Sequence, residues 1–224
     1  MRMRPPAGID PLADRILQGL AALPEASEIV LGGYLALQHH LDYRKTHDID
    51  AWWRVRATPT AERAILAVMQ QVAAEVGCTV RERRFGETLS IELVRQGRRT
   101  FSFQIAVRSV ELAPPVVSAW PPILIETLQD NVGSKMNALV DRGSPRDFLD
   151  IKAVVERGLL SAADCRELWT RKNPGQTINA AGQKILFHLS ALELRRPLES
   201  IESPVEREQA RLTREWFRHE FLGL

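Results

Sequence analysis

GGYLALQHHLDYRKTHDID, residues 32 to 50, is the stretch that decides the fold. It opens on Gly32-Gly33, directly after the apolar run Ile29-Val30-Leu31. An apolar-rich segment follows, then Arg44-x-Thr46, then Asp48-Ile49-Asp50 at the head of a second apolar run. Two carboxylates one residue apart on a strand point to the same face, roughly 7 Å apart along it. Like charges so close repel, so the pair is comfortable mainly with a cation between them. A glycine pair at a strand-to-helix turn lets backbone N–H groups approach phosphate oxygens. The arrangement can hold a nucleoside triphosphate and its activating metal ions. The alternative is a strand start with two acids facing solvent.

The flanking elements follow from periodicity. Residues 1–10 read as a loose leader. A helix is predicted over 11–23, with Leu12, Ile16, Leu20 and Leu23 as its apolar positions and Asp10 as its N-cap. Residues 28–31 read as a buried strand, 34–41 as a short helix, and 49–55 as a second strand. The helix over 61–76 is begun by Thr58-Pro59-Thr60 and ended by Gly77. Three strands are predicted over 79–85, 88–95 and 99–107, joined by hairpin turns at Gly86-Glu87 and Gln96-Gly97-Arg98. Residues 109–122 hold four prolines and read as a crossover loop. From Ile125 onward the chain reads as helical, with helices over about 125–142, 146–157, 161–171, 178–190 and 204–222. The fold class is therefore α+β: a mixed sheet flanked by helices, followed by a C-terminal helical bundle. The division is set at residues 1–120 and 121–224, with the second part completing a cleft.

Composition sets the outer bounds. The chain has 224 residues, 45% hydrophobic and 26% charged, with a net charge of +2. That suits a globular protein with a sizeable core and no strong global field. Its two cysteines, Cys78 and Cys165, form neither a disulfide framework nor a zinc pattern, which fits a reducing cytoplasm. The N-terminus is basic with no apolar stretch after it, so no signal peptide is expected, and no run approaches membrane-spanning length.

A second block, SKMNALVDRGSPRDFLD, spans residues 134 to 150. Lys135 and Arg142 are seven apart and share a helix face, with Met136, Leu139 and Val140 as the core-facing stripe. Lys135 would supply a compact positive charge for a triphosphate. Asp147, near a helix start, reads either as a cap or as a catalytic acid. Arg146 and Asp150 are spaced for an i,i+4 pair.

Together the two blocks resemble the AbiEii/AbiGii nucleotidyltransferase-like toxins, within the DNA polymerase β nucleotidyltransferase superfamily. The first block is similar to that family's Gly-Gly, helix, Arg-x-Thr-x-Asp-x-Asp pattern. KMNALVDRGSPRDFLDI is similar to its Lys-x-x-Ala-x-x-x-Arg and Arg-Asp-x-x-Asp-Leu motifs, on Lys135, Ala138, Arg142, Arg146, Asp147 and Asp150. The resemblance spans roughly residues 28–158. It implies that Gly32 and Gly33 hold phosphates, with Thr46 and Arg142 also on the nucleotide. It implies that Asp48 and Asp50 hold Mg²⁺ or Mn²⁺, that Lys135 contacts the triphosphate, and that Asp147 is an acid near the attacking hydroxyl. The implied partners are an NTP, an RNA acceptor such as tRNA, and a separate antitoxin protein. On this reading Asp48→Asn or Lys135→Ala abolishes transfer and leaves the fold intact.

One position departs from the superfamily pattern. A third carboxylate is common on a neighbouring strand, and FSFQIAV offers Gln104 there, with Glu92 on the preceding strand. An amide is a poor Mg²⁺ ligand. A catalytically silent nucleotide- or protein-binding module therefore stays open beside the enzyme, as does a small-molecule nucleotidyltransferase.

Other features divide between two readings. Arg81, Arg83, Arg84, Arg95, Arg98, Arg99 and Arg108 could bind RNA phosphates or guard a sheet edge. His39, His40 and His47 diverge too much for a ready metal site, since neighbours on a helix are about 100° apart. Trp52 and Trp53 read as core residues of which one must face away. Leu212, Trp216 and Phe221 form an apolar stripe near the C-terminus.

Overall fold

The computed structural model describes residues 3–107 and 110–223; Arg108 lies outside them. The chain forms two compact units, Met1–Asn131 and Val132–Leu224.

The first unit is built on a seven-stranded mixed sheet. Its strands are β1 (Ile29–Leu31), β2 (Asp48–Trp53), β3 (Thr79–Phe85), β4 (Thr88–Arg95), β5 (Arg98–Val107), β6 (Val116–Val117) and β7 (Leu124–Ile125). They lie in the order β3-β4-β5-β2-β1-β7-β6. β1 runs antiparallel to β2 and parallel to β7, while β2 runs parallel to β5.

Helices α1 (Pro11–Ala21), α2 (Gly33–Gln38) and α3 (Pro59–Glu75) complete the layers. Asp10 caps α1 by accepting from Leu12 N at 2.8 Å. Thr58 caps α3 by accepting from Ala61 N at 3.1 Å. Each satisfies a donor that the first helical turn leaves without a partner. Ile16, Leu17 and Leu20 of α1 and Ile65, Met69 and Val72 of α3 join one core with Ile49, Ile91, Phe101, Phe103 and Ile105 of the sheet.

The opposite face of the sheet is polar. Strand alternation puts Asp48, Asp50 and Trp52 there while Ile49, Ala51 and Trp53 are buried in the core. Register extends this face sideways. Asp48 lies opposite Ser102, which lies opposite Glu92 and then Arg81. Asp50 lies opposite Gln104, then Ser90, then Arg83.

The second unit is helical. α4 (Leu128–Asp141) enters it, followed by α5 (Pro145–Glu156), α6 (Ala162–Lys172), α7 (Ile178–Arg195) and α8 (Pro204–Trp216). Met136, Leu139 and Val140 of α4 are buried, as the sequence pattern requires.

Three expectations change. Residues 109–122, read as a crossover loop, contain strand β6, which pairs with β7. Ile125 does not start a helix. It belongs to β7, which pairs with β1 inside the sheet. Two residues are too short to show a strand period, so the helical pattern beyond them masked the strand. Likewise the C-terminal helix does not run regularly to 222. α8 passes into a π-turn over Phe217–Phe221, which shifts the period. Leu212 is exposed, and Phe217 is buried against Phe148 with ring centroids 4.8 Å apart.

Candidate active site

The glycine turn and the two acids meet in the first unit. Gly32 N donates to Asp50 O at 2.9 Å, which continues the β1–β2 ladder into the turn. Gly33 adopts φ +59, and a Cβ there would collide with the Asp50 carboxylate. Gly33 is thus required twice, by the left-handed backbone and by the side chain packed beneath it. Gly33→Ala is expected to destabilise the protein by about 1–2 kcal/mol from the backbone alone, and to displace Asp50. Urea unfolding measures the first effect; a Gly33→Ala protein of unchanged stability would exclude the close approach.

Asp48 is oriented by its neighbour on β5. Ser102 Oγ donates to Asp48 Oδ1 at 2.7 Å. Thr46 fixes the start of the strand, its Oγ1 accepting from Asp48 N at 3.3 Å. The loop between α2 and β2 is gathered by the Tyr34 hydroxyl, which accepts from Tyr43 N at 3.0 Å and Arg44 N at 2.9 Å. The Arg44 guanidinium lies 3.7 Å from the Tyr34 ring centre.

Gln104 stands directly beside Asp50 in the ladder. Glu92 stands two strands from Asp48, roughly 10 Å at ordinary strand spacing. Arg81 Nε donates to Glu92 at 2.6 Å, with Arg83 and Arg99 at 3.8 and 3.9 Å. Arg84 reaches Glu62 at 2.8 Å, and Arg95 donates to Val76 O at 2.5 Å. β3 is an edge strand, and Arg81, Arg83 and Arg84 lie on it.

Glu126 and Asn131 carried no motif in the sequence, yet both sit at the turn. A Cβ on Gly32 would lie 2.9 Å from Glu126 Oε2 and against Trp52 Nε1. Asn131 Nδ2 donates to Gly33 O and to Glu126 Oε2, each at 3.0 Å. Only the pairing of β7 with β1 brings them there, and a two-residue strand left no readable signal.

The histidines take other roles. His39 stacks edge-on with Trp120, and burial followed by the charge of His40 pulls its pKa down to about 4. His47 Nδ1 lies 2.6 Å from Asp10 Oδ2. Among the described residues, no three His, Cys, Asp or Glu side chains converge as a metal-holding group.

Within the second unit, Lys135 is only 8% exposed and donates to Asp150 Oδ2 at 2.7 Å. Arg142 lies just beyond α4. Its Nε and a terminal nitrogen donate to the two Asp147 oxygens at 2.9 and 3.0 Å. Asp147 also accepts from Ser144 N at 3.0 Å and Ser144 Oγ at 2.7 Å, completing the capping box of α5. Burial alone would raise the Asp147 pKa, but its hydrogen bonds to Arg142 and Ser144 outweigh it and hold the carboxyl below the usual range. A depressed folded pKa stabilises above the unfolded value, about 3.9, and that contribution is lost as pH falls through the folded pKa. Asp147→Asn should therefore cost about 1–2 kcal/mol at pH 7, and the gap from the parent should close below about pH 4. Unfolding curves across pH 3–7 check this; a gap independent of pH would mean the charge is not what the cap uses.

A mixed sheet that sets paired acids beside a Gly-Gly strand-to-helix turn is the arrangement of a nucleotidyltransferase-like protein. A family model described as "Nucleotidyl transferase AbiEii toxin, Type IV TA system" matches residues 15–219. The chain belongs to this AbiEii family of toxin–antitoxin nucleotidyltransferases. Comparison with curated proteins gave no match. Among the described residues, no helix is long and apolar enough to cross a membrane.

Proposed function

We propose that the protein is a metal-dependent nucleotidyltransferase, the toxin of a toxin–antitoxin pair, moving NMP from an NTP to an acceptor hydroxyl in the cytoplasm. The observation that carries this is the Asp50 carboxylate packed under Gly33, with Asp48 on the same strand face.

The donor set fits Mg²⁺ or Mn²⁺. Both side chains are hard oxygen ligands, and Mg²⁺ is commonly held by one or two carboxylates plus phosphates and water. When bound, the ion supplies charge neutralisation at the α-phosphate and orients it for in-line attack. Ser102 and Thr46 hold Asp48 in place for that task. Gly32 and Gly33 bring backbone close to the phosphates, and Lys135 and Arg142 are assigned to the triphosphate. Asp147 enters through Arg142, which it grips, rather than as a base, because its oxygens already accept four hydrogen bonds. The arginines around Glu92 favour an RNA acceptor, tRNA included, over a small neutral one. The antitoxin is proposed as a separate protein.

Gln104 beside Asp50 favours one other reading, a silent nucleotide-binding module. Each NTP with millimolar Mg²⁺, tested by thermal shift and by label transfer to total RNA, separates the two. A nucleotide that binds the native state raises Tm by mass action, and the enzyme also transfers label. Stabilisation without transfer would leave the silent module; neither effect would remove both. Gln104→Ala is expected to leave transfer nearly unchanged, since the amide is not a needed ligand. Loss of transfer in that variant would overturn the two-carboxylate site.

A further inference from the structure

We propose that Asn131, braced by Glu126, is a positioning residue that fixes Gly33 over Asp50 and so sets the geometry in which the metal–triphosphate is held. This rests on the functional reading of that turn given above.

The chain path makes the clamp. β7 runs parallel to β1, and Glu126 N donates to Leu31 O at 2.9 Å, so Glu126 follows the strand at the level of Gly32. Thr127 then starts α4, its Oγ1 accepting from Asp130 N at 3.3 Å and its carbonyl from Asn131 N at 2.9 Å. This turn of helix returns Asn131 to the glycines. Its amide spends its donors on two targets, Gly33 O and Glu126 Oε2, both at 3.0 Å.

The arrangement is poorly explained by stability alone. Asn131 is 1% exposed, and its Oδ1 has no hydrogen-bond partner. The Trp52 indole N–H, buried against Gly32, has none either. Orphan polar atoms in a buried place are costly and call for a reason. The reason here is that the backbone carbonyl of Gly33 must be gripped by a donor. Gly33 sits in a left-handed conformation with a carboxylate beneath it, so a carbonyl left free to turn would shift the backbone that approaches the metal–triphosphate. Glu126 serves as the acceptor that orients the amide. An Asp at position 131 would lose both donated bonds and bring a second carboxylate against Glu126.

The test uses the full-length protein with Mg²⁺ and the NTP it turns over. Asn131→Asp and Asn131→Ala should raise KM for the metal–nucleotide about tenfold or more, with a smaller change in kcat. Amide exchange at residues 33–37 should quicken while the amides of α3 keep their protection. Glu126→Ala should behave in the same way. Glu126→Gln should recover most of the parent behaviour, because its amide oxygen still accepts from Asn131. An Asn131 variant that folds, binds nucleotide as the parent does and keeps its turn protected overturns the inference alone. A Glu126→Gln protein as damaged as Glu126→Ala also overturns it, since the negative charge would then be what matters. If the parent protein neither binds nor turns over any NTP, the functional reading falls and the positioning role falls with it. Should the Asn131 variants not fold, the contrast between the two Glu126 variants decides.

Discussion

Asp48→Asn lowers nucleotide transfer by a factor of about 10² or more, the usual size of a lost electrostatic contact to developing charge, and leaves the unfolding curve close to the parent's. The substitution keeps the shape of the side chain and an Oδ1 that can still accept from Ser102 Oγ, now 2.7 Å away. Asp48 is partly exposed at the start of β2 on the polar sheet face, so no core packing is lost. What disappears is half of the negative charge offered to the cation. Asp50→Asn should have the same effect, since the amide fits the space under Gly33 that the carboxylate occupies. Label transfer under saturating Mg²⁺ and NTP measures the loss. An Asp48→Asn protein that transfers at the parent's rate would place the chemistry elsewhere.

Lys135→Ala destabilises the protein by about 3–5 kcal/mol, as breaking a buried ion pair does. This revises the expectation, from the sequence alone, that the substitution leaves the fold intact. Lys135 and Asp150 are both buried, the latter with no exposure, and 2.7 Å separates Nζ from Oδ2. Removing the ammonium takes an ion-pair partner from a carboxylate that water does not reach. Because the two residues act as a pair, Lys135→Ala combined with Asp150→Asn should be less destabilising than the sum of the two single changes, by about 0.5–3 kcal/mol. Urea unfolding of all three variants gives that coupling. Additive effects would mean that the pair contributes nothing of its own. The double variant also isolates function, because stability returns in part while a triphosphate contact through Lys135 does not. Parent-level transfer in the double variant would remove Lys135 from the nucleotide site.

The strands and helices were largely legible because their signals are local. The turns at Gly86-Glu87 and Gln96-Gly97-Arg98 are written in adjacent residues, and the strands Thr79–Phe85 and Thr88–Arg95 fall where those turns put them. The same alternation places Asp48 and Asp50 on one face whatever the rest of the chain does. Gly32-Gly33 marked the turn because few other residues can adopt the backbone that Gly33 takes. Side-chain partners far apart in sequence were a different matter. Asn131 reaches Gly33 across 98 residues, and Lys135 meets Asp150 rather than solvent. Glu92 reads from the sequence as an acid near the site, but the register ties it to Arg81 and sets it two strands away from Asp48. Periodicity states which face a residue occupies and says nothing of what arrives opposite it. The sequence by itself determined the longer elements, the acid pair and the glycine turn. Strand order and helix packing alone decided that Glu126 and Asn131 close over that turn and that Lys135 is buried, because those choices depend on pairing between distant segments that no local pattern encodes.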